Sequence, residues 1–134
     1  MIRVFDYAVR FAVAVILLQT LWFKFRAAPE SVAIFTALHA EPWGRVAAGV
    51  VELAASVLLF LPRGVIFGAG LAFGTMLCAV LAHLFVIGVA VRGDGGLLFG
   101  LAIGVALLSL ICIYIHRAAA FVVLRRLKIL PERY

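Results

Sequence analysis

Glu52 lies in VAAGVVELAASVLLFL and His83 in CAVLAHLFVIGV, each with apolar residues on both sides. A carboxyl group and an imidazole are the side chains best suited to hold or pass a proton near neutral pH. A lone carboxylate in apolar surroundings is costly, so Glu52 is expected to be neutral or paired. At ~1.5 Å per helical residue, Glu52 falls roughly 14 Å, and His83 roughly 12 Å, below the same surface. Gln19 stands about four residues before the end of its own apolar run, on the scale of one helical turn. The spacing predicts that Gln19, Glu52 and His83 meet in one half of a helical bundle, rimmed by Lys24, Glu41, Arg45 and Asp94. Glu41, Arg45 and Glu52 are four and seven residues apart, which puts them within roughly 40° of one another on a helix. They form one polar stripe, and Arg45 is a candidate partner for Glu41 one turn away.

Two readings of this constellation follow. The functional one is a small polar cavity, open to one side, that holds a polar ligand or a quinone head or shuttles a proton through His83 and Glu52. The structural one is a hydrogen-bonded cluster that fixes helix register.

The elements that position these residues follow from composition. The chain has 134 residues, of which 67% are hydrophobic and 13% charged, with a mean hydropathy of +1.25. A soluble domain carries about half apolar and a quarter charged residues. The solvent that fits is a bilayer, whose core of about 30 Å needs roughly 20 apolar residues per helix. Four spans are expected, at about residues 4–23, 42–61, 64–91 and 97–115, in a single domain covering 1–134. The fold class is all-α, an integral membrane four-helix transmembrane bundle. Between the first two spans SVAIFTALHA is expected to form a short interfacial helix with Ser31 as its N-cap. Residues 116–134 read as a basic amphipathic tail that continues the last helix and rests on headgroups. Arg10 is expected to snorkel to the interface. The first apolar run ends in LLQTLWFKF without a small-residue cleavage pattern, so it reads as a retained helix.

Four spans put both termini on one side. Arg3, Arg10, Arg63, Arg117, Arg125, Arg126, Lys128 and Arg133 fall on the terminal side, and Lys24, Arg26, Arg45 and Arg92 on the other. The positive-inside rule then places both termini in the cytoplasm of a cell inner membrane. The net charge of +6 is explained by this distribution and by lipid headgroups. No nucleic-acid partner is expected, because no basic face is interleaved with aromatics.

The remaining motifs carry less chemistry. In RGDGG, residues 92–96, the glycines allow positive φ and Asp94 caps a turn or the next helix. Gly64, Gly68, Gly70 and Gly74 signal close helix packing and make a homo-oligomer plausible. Cys78 and Cys112 read as small packing residues inside their spans, and His39 and His116 as interfacial. No CxxC, metal-ligand spacing, nucleophile elbow or phosphate loop occurs, so no metal site and no complete catalytic constellation is expected.

The same residues carry a resemblance. QTLWFKF (19–25), APES (28–31), EPWGR (41–45), VVEL (50–53), HL (83–84) and DGGLLF (94–99) occur in that order. Together they resemble the DoxX family of small bacterial membrane proteins, over residues 8 to 117. The resemblance implies four transmembrane helices. It implies a functional set of Gln19, Lys24, Glu30, Glu41, Arg45, Glu52, His83 and Asp94. It also implies a link to quinone-dependent redox systems, since some relatives are described as subunits of thiosulfate:quinone oxidoreductase. Others belong to oxidoreductase complexes that respond to thiol or oxidative stress. Paired cysteines of the kind expected in MauE-like relatives are missing here. The expectation is a subunit or accessory factor of a membrane-associated, quinone-linked oxidoreductase, with redox-enzyme subunits as partners and a quinone supplying the redox chemistry. The alternatives are a non-catalytic scaffold or assembly factor and a small-solute carrier.

Overall fold

A computed structural model describes residues 1–127, and among them the chain is all-helical. The helices are α1 (Ile2–Phe25), α2 (Pro29–Ala37), α3 (Trp43–Leu58), α4 (Val65–Ala82), α5 (Leu97–Ile115) and α6 (Arg117–Arg126). A π-helical stretch, His83–Ile87, extends α4. Three helical stretches are long and apolar enough to cross a membrane: Ile2–Phe25, Val65–Ile87 and Leu97–Ile115.

Helices α1, α3, α4 and α5 pack as a closed ring, α1 against α3 and α5, and α4 against α3 and α5. The distribution of residues is inverted relative to a water-soluble bundle. The interior holds small and medium side chains, such as Val13, Leu17, Ala55, Ala69, Ala72 and Val105, together with Arg10, Glu52 and His83. Phe11, Leu18, Leu53, Leu77, Leu107 and Leu110 point outward and are exposed. A surface of that kind suits lipid contact, because backbone groups along the middle of each helix are already satisfied within that helix. Aromatic rings mark both ends of the bundle: Arg26 lies over Trp22 at one end, and Arg117 lies over Tyr114 at the other. Interfacial aromatics take such positions.

Local sequence explains where the helices stop. No Gly or Pro interrupts residues 2–25, and α1 runs uninterrupted over that length. It closes at Ala27, which has φ 52°, and the Ala28 N–H bonds Phe23 O at 3.0 Å. Helix α2 closes the same way, with His39 at φ 54° and the Ala40 N–H on Phe35 O at 2.8 Å. Both are left-handed C-terminal closures built without the usual glycine. The N-terminus of α2 is set by Pro29 in its first turn after Ala28, so Ser31 lies inside the helix and is not its N-cap. Pro at that position sacrifices no hydrogen bond.

Helix α3 has 16 residues and ends at Leu58, short of the expected Leu61. Its last turns tighten to i→i+3 bonds, Phe60 N to Val57 O and Leu61 N to Leu58 O, ahead of Pro62. The residue before a proline disfavours the helical region. The third expected span also ends early, at Ile87 rather than Val91, because Gly88 at φ 89° turns the chain out of the helix. Helix α5 occupies the residues expected of it. The tail does not simply continue α5: the chain bends at His116 before α6 begins. The tail beyond residue 127, with Lys128 and Arg133, lies outside the described residues.

A close backbone approach occurs at Gly68, where an added Cβ would sit 2.7 Å from Leu59 N and 2.8 Å from Ala55 O. The absence of a side chain there lets α4 lie against the backbone of α3. Gly70 and Gly74 have nothing within 4 Å of such a Cβ, so the glycine series does not act as a single packing stripe.

Candidate functional site

Lys24 and Thr20 are four residues apart on α1 and therefore share a face. Both reach Glu52 on α3. Lys24 Nζ donates to Glu52 Oε1 at 2.9 Å and Oε2 at 3.1 Å. Thr20 Oγ lies 3.1 Å from Glu52 Oε2 and 2.9 Å from Leu17 O. Its one proton serves one of these acceptors at a time. Glu52 is 1% exposed. A carboxylate that deep is tolerable only because a cation and a hydroxyl surround it. Lys24 is thus not a rim residue, as its position suggested, but the direct partner of Glu52.

Arg45 and Glu41 build the layer behind this pair. Arg45 Nε lies 2.9 Å from Glu41 Oε1 and 3.0 Å from Oε2. Arg45 also donates from Nη1 to the backbone carbonyl of Lys24. The start of α3 is thereby pinned to the end of α1, fixing the stem from which the Lys24 side chain extends.

His83 opens the π-helical stretch and closes it with its own atoms. Its carbonyl accepts from Gly88 N at 2.9 Å, and its Nδ1 lies 2.8 Å from Gly88 O. A carbonyl only accepts, so in this bond Nδ1 carries the proton, and Nε2 of the neutral ring keeps its lone pair. The ring packs against Phe99 with centroids 5.6 Å apart. Part of the reason for a histidine just before the glycine-rich loop is therefore local: it terminates the helix.

Asp94 organises that loop. Oδ1 accepts from Val91 N and Gly96 N, both at 2.9 Å, and Oδ2 accepts from Leu98 N at 3.0 Å. The backbone N–H groups of Leu98, Gly96 and Val91 hold the carboxyl below its ordinary range, because each stabilises the charged form.

Between them lies a cavity of about 530 Å³, within the range of small-molecule sites. Gln19, Thr20, Lys24, Glu30, Ser31, Glu52, His83 and Asp94 line it, and Cys78 stands on its wall. The rest is mainly apolar, with Ile16, Met76 and Ala102 among the residues facing it. Helix α2 turns Glu30, Ser31, Ile34 and Phe35 toward the cavity, joined by Leu38 just past its end, yet none of the helix's residues is buried. It covers the cavity without being packed into the bundle.

Gln19, Glu52 and His83 do share one cavity, but the hydrogen-bonded partners of Glu52 are Lys24 and Thr20, not His83. Glu41 and Arg45 are not among the cavity residues. Thr20 went unnoticed in the sequence; its signal was the four-residue spacing to Lys24. Cys78 is exposed rather than buried in its span, while Cys112 is buried.

A second polar group of residues lies at the other end of α1. Arg10 is 7% exposed, so it does not snorkel. It forms an ion pair with Asp6, lies 2.9 Å from His116 Nε2, and reaches Leu59 O at 3.4 Å. His116, expected to be interfacial, lies 3.0 Å from Asp6 Oδ1. The signal for this group was Asp6 and Arg10 four residues apart in an apolar helix, where the carboxylate is the nearer solution for the charge.

Comparison with models of known protein families, with curated proteins and with solved structures gives no match.

Proposed function

We propose that the chain is a DoxX-like, four-span protein of the bacterial inner membrane with both termini cytoplasmic. Its cavity binds the head of a quinone, and it serves as a subunit or accessory factor of a quinone-linked oxidoreductase system. The observation that carries this reading is the placement of buried Glu52, paired with the partly buried Lys24, on an otherwise mainly apolar cavity of about 530 Å³. A quinone offers carbonyl oxygens that accept from Lys24 or Gln19. Its reduced form offers hydroxyls that donate to Glu52 or to Nε2 of His83. The apolar walls suit the rest of such a molecule.

Helix α3 is the fourth span in this reading. Its 16 residues rise about 24 Å, and a short span is accommodated by local thinning of the bilayer. Of the exposed arginines, Arg3, Arg63, Arg117, Arg125 and Arg126 stand on the terminal side, and Arg26 and Arg92 on the other. That asymmetry supports cytoplasmic termini. A cysteine at Gly95 is expected to react with an impermeant thiol reagent on intact cells. Labelling only after lysis reverses the orientation.

The functional test is extraction and native mass spectrometry of the purified protein, wild type against Glu52→Gln and His83→Ala. Quinone held by the wild type and lost from both variants supports the proposal. A second reading, a scaffold whose polar cluster only fixes the fold, is favoured by one observation: Glu52 is already paired by Lys24 and Thr20. No bound quinone, with both variants merely less stable, selects the scaffold.

A further inference from the structure

Cys112 and His116 are one helical turn apart at the end of α5, so both project to one side. Asp6 faces them from α1. A carboxylate oxygen of Asp6, Sγ of Cys112 and Nε2 of His116 all lie within 4.8 Å of one another. Asp6 and Cys112 are buried, and the His116 side chain is 25% exposed at the surface end. Oxygen, sulfur and nitrogen from three side chains form a donor set that zinc-class dications accept.

The hydrogen bonding of this centre does not close on its own. Nε2 of His116 lies 2.9 Å from Arg10 Nη2 and 3.0 Å from Asp6 Oδ1. A guanidinium only donates, and an ionised carboxylate only accepts. One ring nitrogen cannot answer both: protonated, it faces the arginine's N–H, and bare, it faces the carboxylate's lone pair. Two more buried polar atoms, Arg10 Nε and Ser109 Oγ, lack a partner among the described residues. Ser109 stands one turn before Cys112 on the same helix.

We propose that Asp6, Cys112 and His116 form a binding site for a zinc-class divalent transition-metal ion at the terminal end of the bundle. The ion resolves the conflict at His116, because bare Nε2 and Asp6 Oδ1 both become ligands. Arg10 keeps Asp6 Oδ2 and the Leu59 carbonyl as its acceptors. Donors around a tetrahedral zinc stand roughly 3.3–3.8 Å apart. Asp6 Oδ1 and His116 Nε2, 3.0 Å apart, open slightly to reach that spacing, and Cys112 Sγ, within 4.8 Å of both side chains' donors, moves in by at most roughly 1.5 Å. Cys112 binds as the thiolate, and its proton leaves to solvent as the metal enters. The partly exposed His116 ring is the entry side. This inference is independent of the quinone reading, since it uses none of the cavity residues.

The test titrates the full chain, stripped with chelator and held in lipid nanodiscs, with Co²⁺ as the spectroscopic probe for Zn²⁺. The expected result is one Co²⁺ per chain, with a near-ultraviolet thiolate-to-cobalt charge-transfer band that Zn²⁺ displaces. Cys112→Ser removes the band and Cys78→Ser leaves it. Asp6→Asn weakens binding at least as much as loss of an outer-shell partner, ~10–100-fold. Affinity falls with falling pH, since thiolate and bare imidazole must both form. Absence of the band in the wild type overturns the proposal, whether or not any variant folds. A band kept in Cys112→Ser and lost in Cys78→Ser overturns it as well, because the thiolate would then belong to the cavity.

Discussion

Helix α1 carries a buried charge pair toward each end, and the two are built differently. At the Phe25 end, Lys24 reaches across to Glu52 on α3, and the pair lines a cavity. At the Ile2 end, Asp6 and Arg10 pair along the same helix, and His116 closes on them from the chain's other terminus. The first arrangement joins two helices and leaves room beside the charges. The second pairs its charges within one helix, leaves Arg10 Nε without a partner among the described residues, and meets a carbonyl of the α3–α4 turn. A cation and an anion from different helices are each stranded when the other is removed. A pair within one helix, near the bundle end, retains neighbours.

The largest expected effect tests that difference directly. Lys24→Met leaves Glu52 buried with only a threonine hydroxyl, and should cost about 3–5 kcal/mol of stability. Adding Glu52→Gln should recover much of it, because the stranded charge is gone. Asp6→Asn should cost less, about 1–3 kcal/mol. Reversible unfolding in mixed micelles measures all three, and equal losses at the two ends would erase the comparison.

Next is the packing of α4 on α3 near the Arg10 end, where Gly68 lies against Leu59. Gly68→Val drives a side chain into the α3 backbone and should cost about 1–3 kcal/mol. Gly70→Val meets open space and should stay within about 0.5 kcal/mol. If both are tolerated, α4 is not held against α3 at that point.

Double-mutant cycles sharpen the comparison further. Lys24 and Glu52 should couple by about 0.5–3 kcal/mol, whereas Glu52 with Asp6 should be additive within about 0.5 kcal/mol. Glu52 with His83 should also lie near additivity, since each is held by a different partner. Strong coupling of that last pair would restore the direct contact that the sequence suggested.

The smallest effect concerns the loop at the cavity end. The Asp94 carboxyl is held below its ordinary range by the Leu98, Gly96 and Val91 N–H groups. A depressed folded-state value means a contribution present above the unfolded value, and lost as pH falls through the folded one. Amide exchange at Val91, Gly96 and Leu98 should therefore accelerate under acid conditions below the ordinary Asp range. Asp94→Asn should remove that pH dependence. The Asp6 end has no such backbone cage, and its amides should not follow the same profile.

Much of the fold was legible. Apolar runs of membrane length, broken at Pro29, Pro62 and the RGDGG segment, divide the chain into its helices. Helix α5 lies where its apolar run does. The ends of α3 and α4 were less legible, because leucine and valine continue past Leu58 and Ile87 after the backbone has turned. Of the candidate site, the polar residues themselves stood out, since an ionisable side chain in an apolar run is conspicuous in any register.

Partners were another matter. Sequence alone determined that Glu52 and His83 sit in apolar runs and that a lone carboxylate there must be neutral or paired, because burying an unpaired charge is prohibitive. It also offered Glu41–Arg45 as a pair one turn apart, which the structure contains, whereas Arg10, expected to snorkel, pairs with Asp6 instead. Only the tertiary structure decided that Glu52 meets Lys24 rather than His83, and that His116 returns to Asp6 across the length of the chain. Those choices depend on the rotation of each helix about its own axis. That rotation is set by packing, such as the close approach at Gly68, and leaves no trace in the spacing of residues along a single helix.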